Sequence, residues 1–95
     1  MVVGVCLVDI HIPENSSLKG KRQVMKRILE RVKNRFNVSI AEVDDNDLWQ
    51  RAKIGFSVVG NDRKFINSSM DKVLNFIESL NVAEIINSQI EILNL

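Results

Sequence analysis

The 95-residue chain has no tyrosine and only one tryptophan, one cysteine, one histidine and one proline. Each shortage removes a class of function. A lone cysteine, Cys6, forms no internal disulfide, so the chain is not a stapled secreted scaffold. The lone histidine, His11, with Asp9 two positions earlier, falls short of the four ligands of a structural zinc site. Without tyrosine, the aromatic platform on which RNA-recognition sheets stack bases is missing. The longest apolar run, Met1–Val8, is well below the roughly 18 residues of a membrane span. No basic segment precedes it as in a signal peptide, so a reducing cytoplasm is the expected setting. No Gly-x-x-x-x-Gly-Lys-Ser/Thr string is present, which excludes a Walker phosphate loop.

What remains is an ordinary globular balance, 45% apolar and 26% charged. That proportion excludes a disordered chain, and the length fits a single domain over residues 1–95. Val2–Ile12 alternates as a strand, with Gly4, Cys6, Val8, Ile10 and Ile12 on one face and Val3, Val5, Leu7, Asp9 and His11 on the other. Pro13 ends it, and Ser16 or Ser17 can cap a helix. In that helix Val24, Met25, Ile28, Leu29 and Val32 recur at spacings of three and four. Val38–Val43 reads as a second strand and Asp44–Leu48 as a turn. A third strand follows over Trp49–Val59, with Ala52, Ile54, Phe56 and Val58 facing the core and Arg51, Lys53, Gly55 and Ser57 facing away. Gly60-Asn61-Asp62 turns into a second helix, striped by Phe65, Ile66, Met70, Val73, Leu74, Ile77 and Leu80. A last strand lies within Ala83–Leu95, with Ile86, Ile90 and Ile92 as its expected core face.

The order is β-α-β-β-α-β. Two helices with one apolar stripe each need one sheet face to cover. The expected fold is therefore α+β: a ferredoxin-like βαββαβ sandwich, with a four-stranded antiparallel sheet and both helices on one face. The other face stays open, offering Val3, Val5 and Leu7 from the first strand and Arg51 and Lys53 from the third. It is a candidate homodimer interface, and Trp49, beside the acidic turn, is a candidate interface residue.

Charge is balanced overall at +1 but not locally. Residues 19–35 hold Lys19, Lys21, Arg22, Lys26, Arg27, Arg31, Lys33 and Arg35 against Glu30 alone. The acids concentrate elsewhere, with Glu42, Asp44, Asp45 and Asp47 close together. Such a dipolar chain presents one positive face. Lys19-Gly20-Lys21-Arg22 stands at a helix start, where free N–H groups and the dipole favour anions. The competing explanation is a solvated face that keeps the protein in solution. Asp9-x-His11 is too small a set for metal or acid–base chemistry, and Asp44, Asp45 and Asp47 lack the glycine and distal glutamate of a calcium loop. Cys6 is expected in the core, out of reach of His11 on the opposite strand face.

Ser17-Leu18-Lys19-Gly20-Lys21-Arg22 is similar to a Ser-Leu-Lys-Glu-Lys-Arg string. Phe36-Asn37-Val38-Ser39-Ile40-Ala41-Glu42 is similar to a Phe-Asn-Val-Ser-Val-Ala-Glu string. Asp47-Leu48-Trp49-Gln50-Arg51-Ala52 and Val58-Val59-Gly60-Asn61-Asp62 fall at matching places. In these segments, over nearly its whole length, the chain resembles the YlxP-like family of small bacterial proteins of unknown function. The departure is Gly20, where glutamate would complete a capping box with Ser17. The resemblance implies a ferredoxin-like fold in a bacterial cytoplasm and no established activity. It also implies a gene neighbourhood of transcription and translation factors, near a ribosome-binding factor.

The expected function is a non-enzymatic binding module. Its basic first helix would meet phosphates of a ribosomal subunit or another structured RNA through Lys19, Lys21, Arg22, Lys26, Arg27 and Arg31, with Arg51 and Lys53 adding charge. The alternative is a protein-interaction or homodimerisation module using Val3, Val5, Leu7 and Trp49 on the uncovered sheet face, with no nucleic-acid role. An enzyme is least supported and would need a pocket lined by Asp9, His11 and Glu42. No cofactor, metal, membrane or small-molecule substrate is expected.

Overall fold

The computed structural model describes residues 1–45 and 47–95. Six elements follow in the order β1 (Val2–His11), α1 (Leu18–Arg35), β2 (Ser39–Asp44), β3 (Arg51–Gly60), α2 (Arg63–Ser79) and β4 (Glu84–Asn94). The strands form one sheet in the order β2-β3-β1-β4, with every neighbouring pair antiparallel. This is the ferredoxin-like βαββαβ arrangement. Asn46, within the expected Asp44–Leu48 turn, lies outside the described residues.

The sheet separates its residues by strand alternation. Val2, Cys6, Val8 and Ile10 of β1 and Ala52, Ile54, Phe56 and Val58 of β3 are buried under the helices. Met25, Ile28 and Val32 of α1 and Ile66, Met70, Val73 and Ile77 of α2 meet them in one core. Fully burying each aliphatic side chain stabilises by about 1.5–3 kcal/mol, and this layer holds the fold together. Helix α2 lies very close to β1 at Gly4, where a Cβ would come within 2.5 Å of Ile66 Cγ2 and 2.8 Å of Met70 Cε. Absence of a side chain at Gly4 is thus a packing requirement.

Local chemistry ends the helices. Ser17 caps α1 by accepting from the Gly20 N–H at 3.0 Å, and Asp62 caps α2 by accepting from the Lys64 N–H at 3.2 Å. Asn81 takes a left-handed backbone, φ 55°, just past α2, and its N–H returns to the Glu78 carbonyl. Asparagine tolerates that conformation better than most residues. Where α1 ends, Phe36 meets Phe76 edge-on with centroids 5.5 Å apart, and the Arg35 guanidinium sits 5.1 Å from the Phe76 ring.

Strand β4 departs from the expected pattern. Its register against β1 shifts between Asp9 and Ile10, so one residue is absorbed near Ile86. Ile85 and Ile92 pack against the core, whereas Ile86 and Ile90 are exposed. Ile90, opposite the buried Cys6, keeps the helix-side parity but stays exposed on the edge strand, and at Ile86 a bulge resets the parity itself.

Replacing Gly4 by alanine drives a methyl into Ile66 and Met70. We expect a destabilisation of about 1–3 kcal/mol, measured as a lower urea midpoint with an unchanged slope.

Candidate nucleic-acid interface on α1

The apolar stripe of α1 determines where its cations point. Met25, Ile28 and Val32 face the sheet, and Lys21 falls four residues before Met25 and seven before Ile28. It shares their face, and its side chain is 2% exposed. Lys21 is thus not a surface cation, and the expected phosphate contact by it is corrected. The Lys21 amine pairs with Glu42 Oε2 at 3.0 Å and donates to the Asp45 carbonyl. Glu42 Oε2 is itself buried and makes no aligned hydrogen bond, so the lysine charge compensates it. The pair ties the first turn of α1 to the end of β2.

The rest of the cluster faces solvent. Lys19, Arg22, Lys26, Arg27, Arg31, Lys33 and Arg35 are all exposed. On a helical wheel of 100° per residue, Lys19, Arg22, Lys26 and Lys33 share an arc of about 60°, centred about 120° from the middle of the core stripe and extended over about 21 Å of axis. The one acid among them, Glu30, stands 3.9 Å from Lys26, an exposed i,i+4 pair that contributes little to stability.

At the helix start the Gly20 N–H is taken by Ser17 Oγ, and the loop before it is tied down by side-chain bonds. Asn15 donates to the Ser17 and Trp49 carbonyls, and Gln50 Nε2 donates to the Asn15 carbonyl at 3.1 Å. A Cβ on residue 20 would collide with Asn15 Oδ1 and stand 3.2 Å from Ser17 Oγ. Gly20 therefore makes room for the asparagine that joins the loop before α1 to the loop before β3. Sequence reasoning missed Asn15. The only signal was the glycine itself, at a position where glutamate would complete a capping box.

Arg51 and Lys53 are not beside these cations. They pair with His11 and Asp9 of β1 across the open sheet face, on the side away from the helices. Lys53 meets Asp9 at 3.3 Å, and His11 stands 3.6 Å from Glu84. One flat surface cannot touch both α1 and Arg51 or Lys53, so the expected set divides in two. The same face carries Val3, Val5 and Leu7, all half-buried, with Val59 beyond Val3 at 62% exposure. Trp49 is 52% exposed.

The three groups of the enzyme reading do not converge. Asp9 and His11 lie on the open face, whereas Glu42, opposite Ile54, lies on the helix side. Cys6 is buried on the core side, and burial pushes its thiol up to about 11, with Asp71 adding to the shift. It therefore stays a neutral thiol through the physiological range. Among the described residues, no group of three or more His, Cys, Asp or Glu side chains could hold a metal ion, and no helix is long and apolar enough to cross a membrane.

The sequence model of DUF503, a family described as a protein of unknown function, matches residues 3–90. The chain belongs to the DUF503 family. A relative, the uncharacterised protein YlxP of Bacillus subtilis, is 42% identical over 78 residues, covering 82% of this chain and 85% of that one. Among solved structures, the de novo designed protein Foldit4 aligns over 100% of this chain and 99% of its own, with a TM-score of 0.54 and 19% identity. A chlorite dismutase candidate aligns over 99% of this chain and 45% of its own, with a TM-score of 0.52 and 11% identity. At such identities both likenesses concern the fold alone. For this DUF503 member they carry no function.

Removing the buried amine leaves the Glu42 carboxylate without its counter-charge. Lys21→Met is expected to cost about 2–4 kcal/mol, with Lys21→Met/Glu42→Leu recovering much of the loss. Lys19→Met should stay within about 0.5 kcal/mol of the parent. Urea unfolding of the four proteins checks both statements.

Proposed function

We propose that the chain is a non-enzymatic module that docks on ribosomal or other structured RNA through the outer face of α1. The observation that carries this reading is the sorting of the helix cations. Lys21 turns inward to Glu42, while the other seven basic residues of α1 are exposed with Glu30 as their only acid. A stripe of this kind contacts phosphate through charge, without reading base edges. The sheet takes no part in such docking, since it lies on the far side of the helix layer and lacks the aromatics for base stacking.

A second reading, self-association through the open sheet face, is favoured by the exposed Val59 beside Val3. Salt separates the two. Phosphate contacts weaken as ions are added, whereas apolar burial does not.

The test is binding to purified bacterial ribosomal subunits over a salt series. The slope of log affinity against log salt should flatten by roughly 1.4–1.8 in Arg22→Glu/Lys26→Glu, at about 0.7–0.9 per lost phosphate contact. Arg51→Glu, on the opposite face, should leave affinity and slope unchanged. No binding at low salt, or a double variant that binds like the parent, would overturn the reading.

A further inference from the structure

The sheet has two edges, and they are built differently. The β2 edge is short, at six residues, with a register shift between Glu42 and Asp44 and charges at both of those positions. Short length, bulges and charge are the usual devices that stop an edge from pairing with another chain. The β4 edge runs for eleven residues and has none of lysine, arginine or proline. Its one irregularity lies near Ile86, and from Asn87 to Asn94 its register against β1 is unbroken. Ile90 and Leu93 are exposed along this regular stretch.

The direction of the free backbone groups follows from the end of the strand. Met1 and Leu95 exchange both backbone hydrogen bonds, at 2.8 and 2.9 Å. In an antiparallel pair such bonded positions alternate with positions whose N–H and C=O point away from the partner strand. Residues Asn94, Ile92, Ile90 and Ser88 therefore turn their backbone groups outward. The Arg63 side chain confirms the direction, for its Nη1 reaches the Ile92 carbonyl at 3.4 Å.

We propose that β4 is a self-pairing edge, on which a second copy of this chain adds its own β4 antiparallel across a twofold axis. This goes beyond the RNA reading and uses neither α1 nor the open sheet face as its contact. A twofold pair needs an edge that complements itself. In the regular stretch the only charge is Glu91. An axis at Gln89 or Ile90 sets Glu91 opposite Asn87 or Gln89 of the second copy, with no like charges opposed, and matches outward-facing backbone groups with one another. Charge on the rim agrees with this occupant. The strand carries acids alone, while Arg63, Lys64 and Lys72 of α2, with Asp71 as the one acid, line together with Ile92 an open groove of about 510 Å³ beside it. The net positive groove favours an acidic strand over a basic one at this edge, and β4 of this chain is acidic.

Sedimentation equilibrium of the full chain from 5 to about 500 µM, with hydrogen exchange at both ends of that range, tests the pairing. A dimer is expected, with the Ile90 and Ile92 amides exchanging at least tenfold more slowly at the high concentration. Ser88→Pro removes one outward N–H and should weaken the dimer tenfold or more. Val59→Asp, on the open sheet face, should leave it unchanged. A strict monomer throughout overturns the proposal. So does a dimer that Val59→Asp dissociates while the Ile90 and Ile92 amides keep one rate at both concentrations. Exchange in the parent protein decides the matter even if Ser88→Pro fails to fold.

Discussion

Both helices must bury their apolar stripes against the same face of one sheet, and the placement of nearly every charged group follows. The stripe of α1 fixes the rotation of that helix about its axis. With Met25, Ile28 and Val32 held against the sheet, Lys19, Arg22, Lys26 and Lys33 have only solvent to face. Lys21, on the apolar side of the same helix, has to find a partner in the interior. A buried ammonium is tolerated only when it is paired, and Glu42 and the Asp45 carbonyl provide that pairing. The positive surface of the molecule is thus a by-product of core packing rather than a separate device.

The interior pair is a costly way to join a helix to a strand, since taking two charges out of water offsets much of their attraction. Its effect is positional. It draws the end of β2 toward the first turn of α1. Asn15, a few residues earlier, holds the Trp49 carbonyl and so fixes the approach to β3. Gly20 is part of the same arrangement, because any side chain there would displace Asn15. The inner side of the helix start is in this way committed to structure, while Lys19 and Arg22 on its outer side remain exposed.

The layer order, the helix stripes and the open sheet face could all be read from residue spacing, because burial imposes periods that do not depend on neighbours. Lys21 was legible too, four residues before Met25, but charge drew attention away from spacing. Ile86 was not legible, since a bulge near it shifts parity without a marker such as glycine. Nor was the separation of Arg51 and Lys53 from α1 read, although strand alternation had already placed them on the open face. Asn15 had no signal of its own, because its role depends on loops brought together from distant parts of the chain. Membership of DUF503 adds the family but no activity, so the functional account rests on where the charges lie.

The central claim is that one cation of α1 points inward while the rest point out. Reductive methylation of the folded protein, read lysine by lysine by mass spectrometry, tests it directly. Lys19, Lys26 and Lys33 should be modified together at the rate of free surface amines, with Lys21 at least tenfold slower until the protein is unfolded. Modification of Lys21 at the rate of Lys19 in the folded protein would contradict the account.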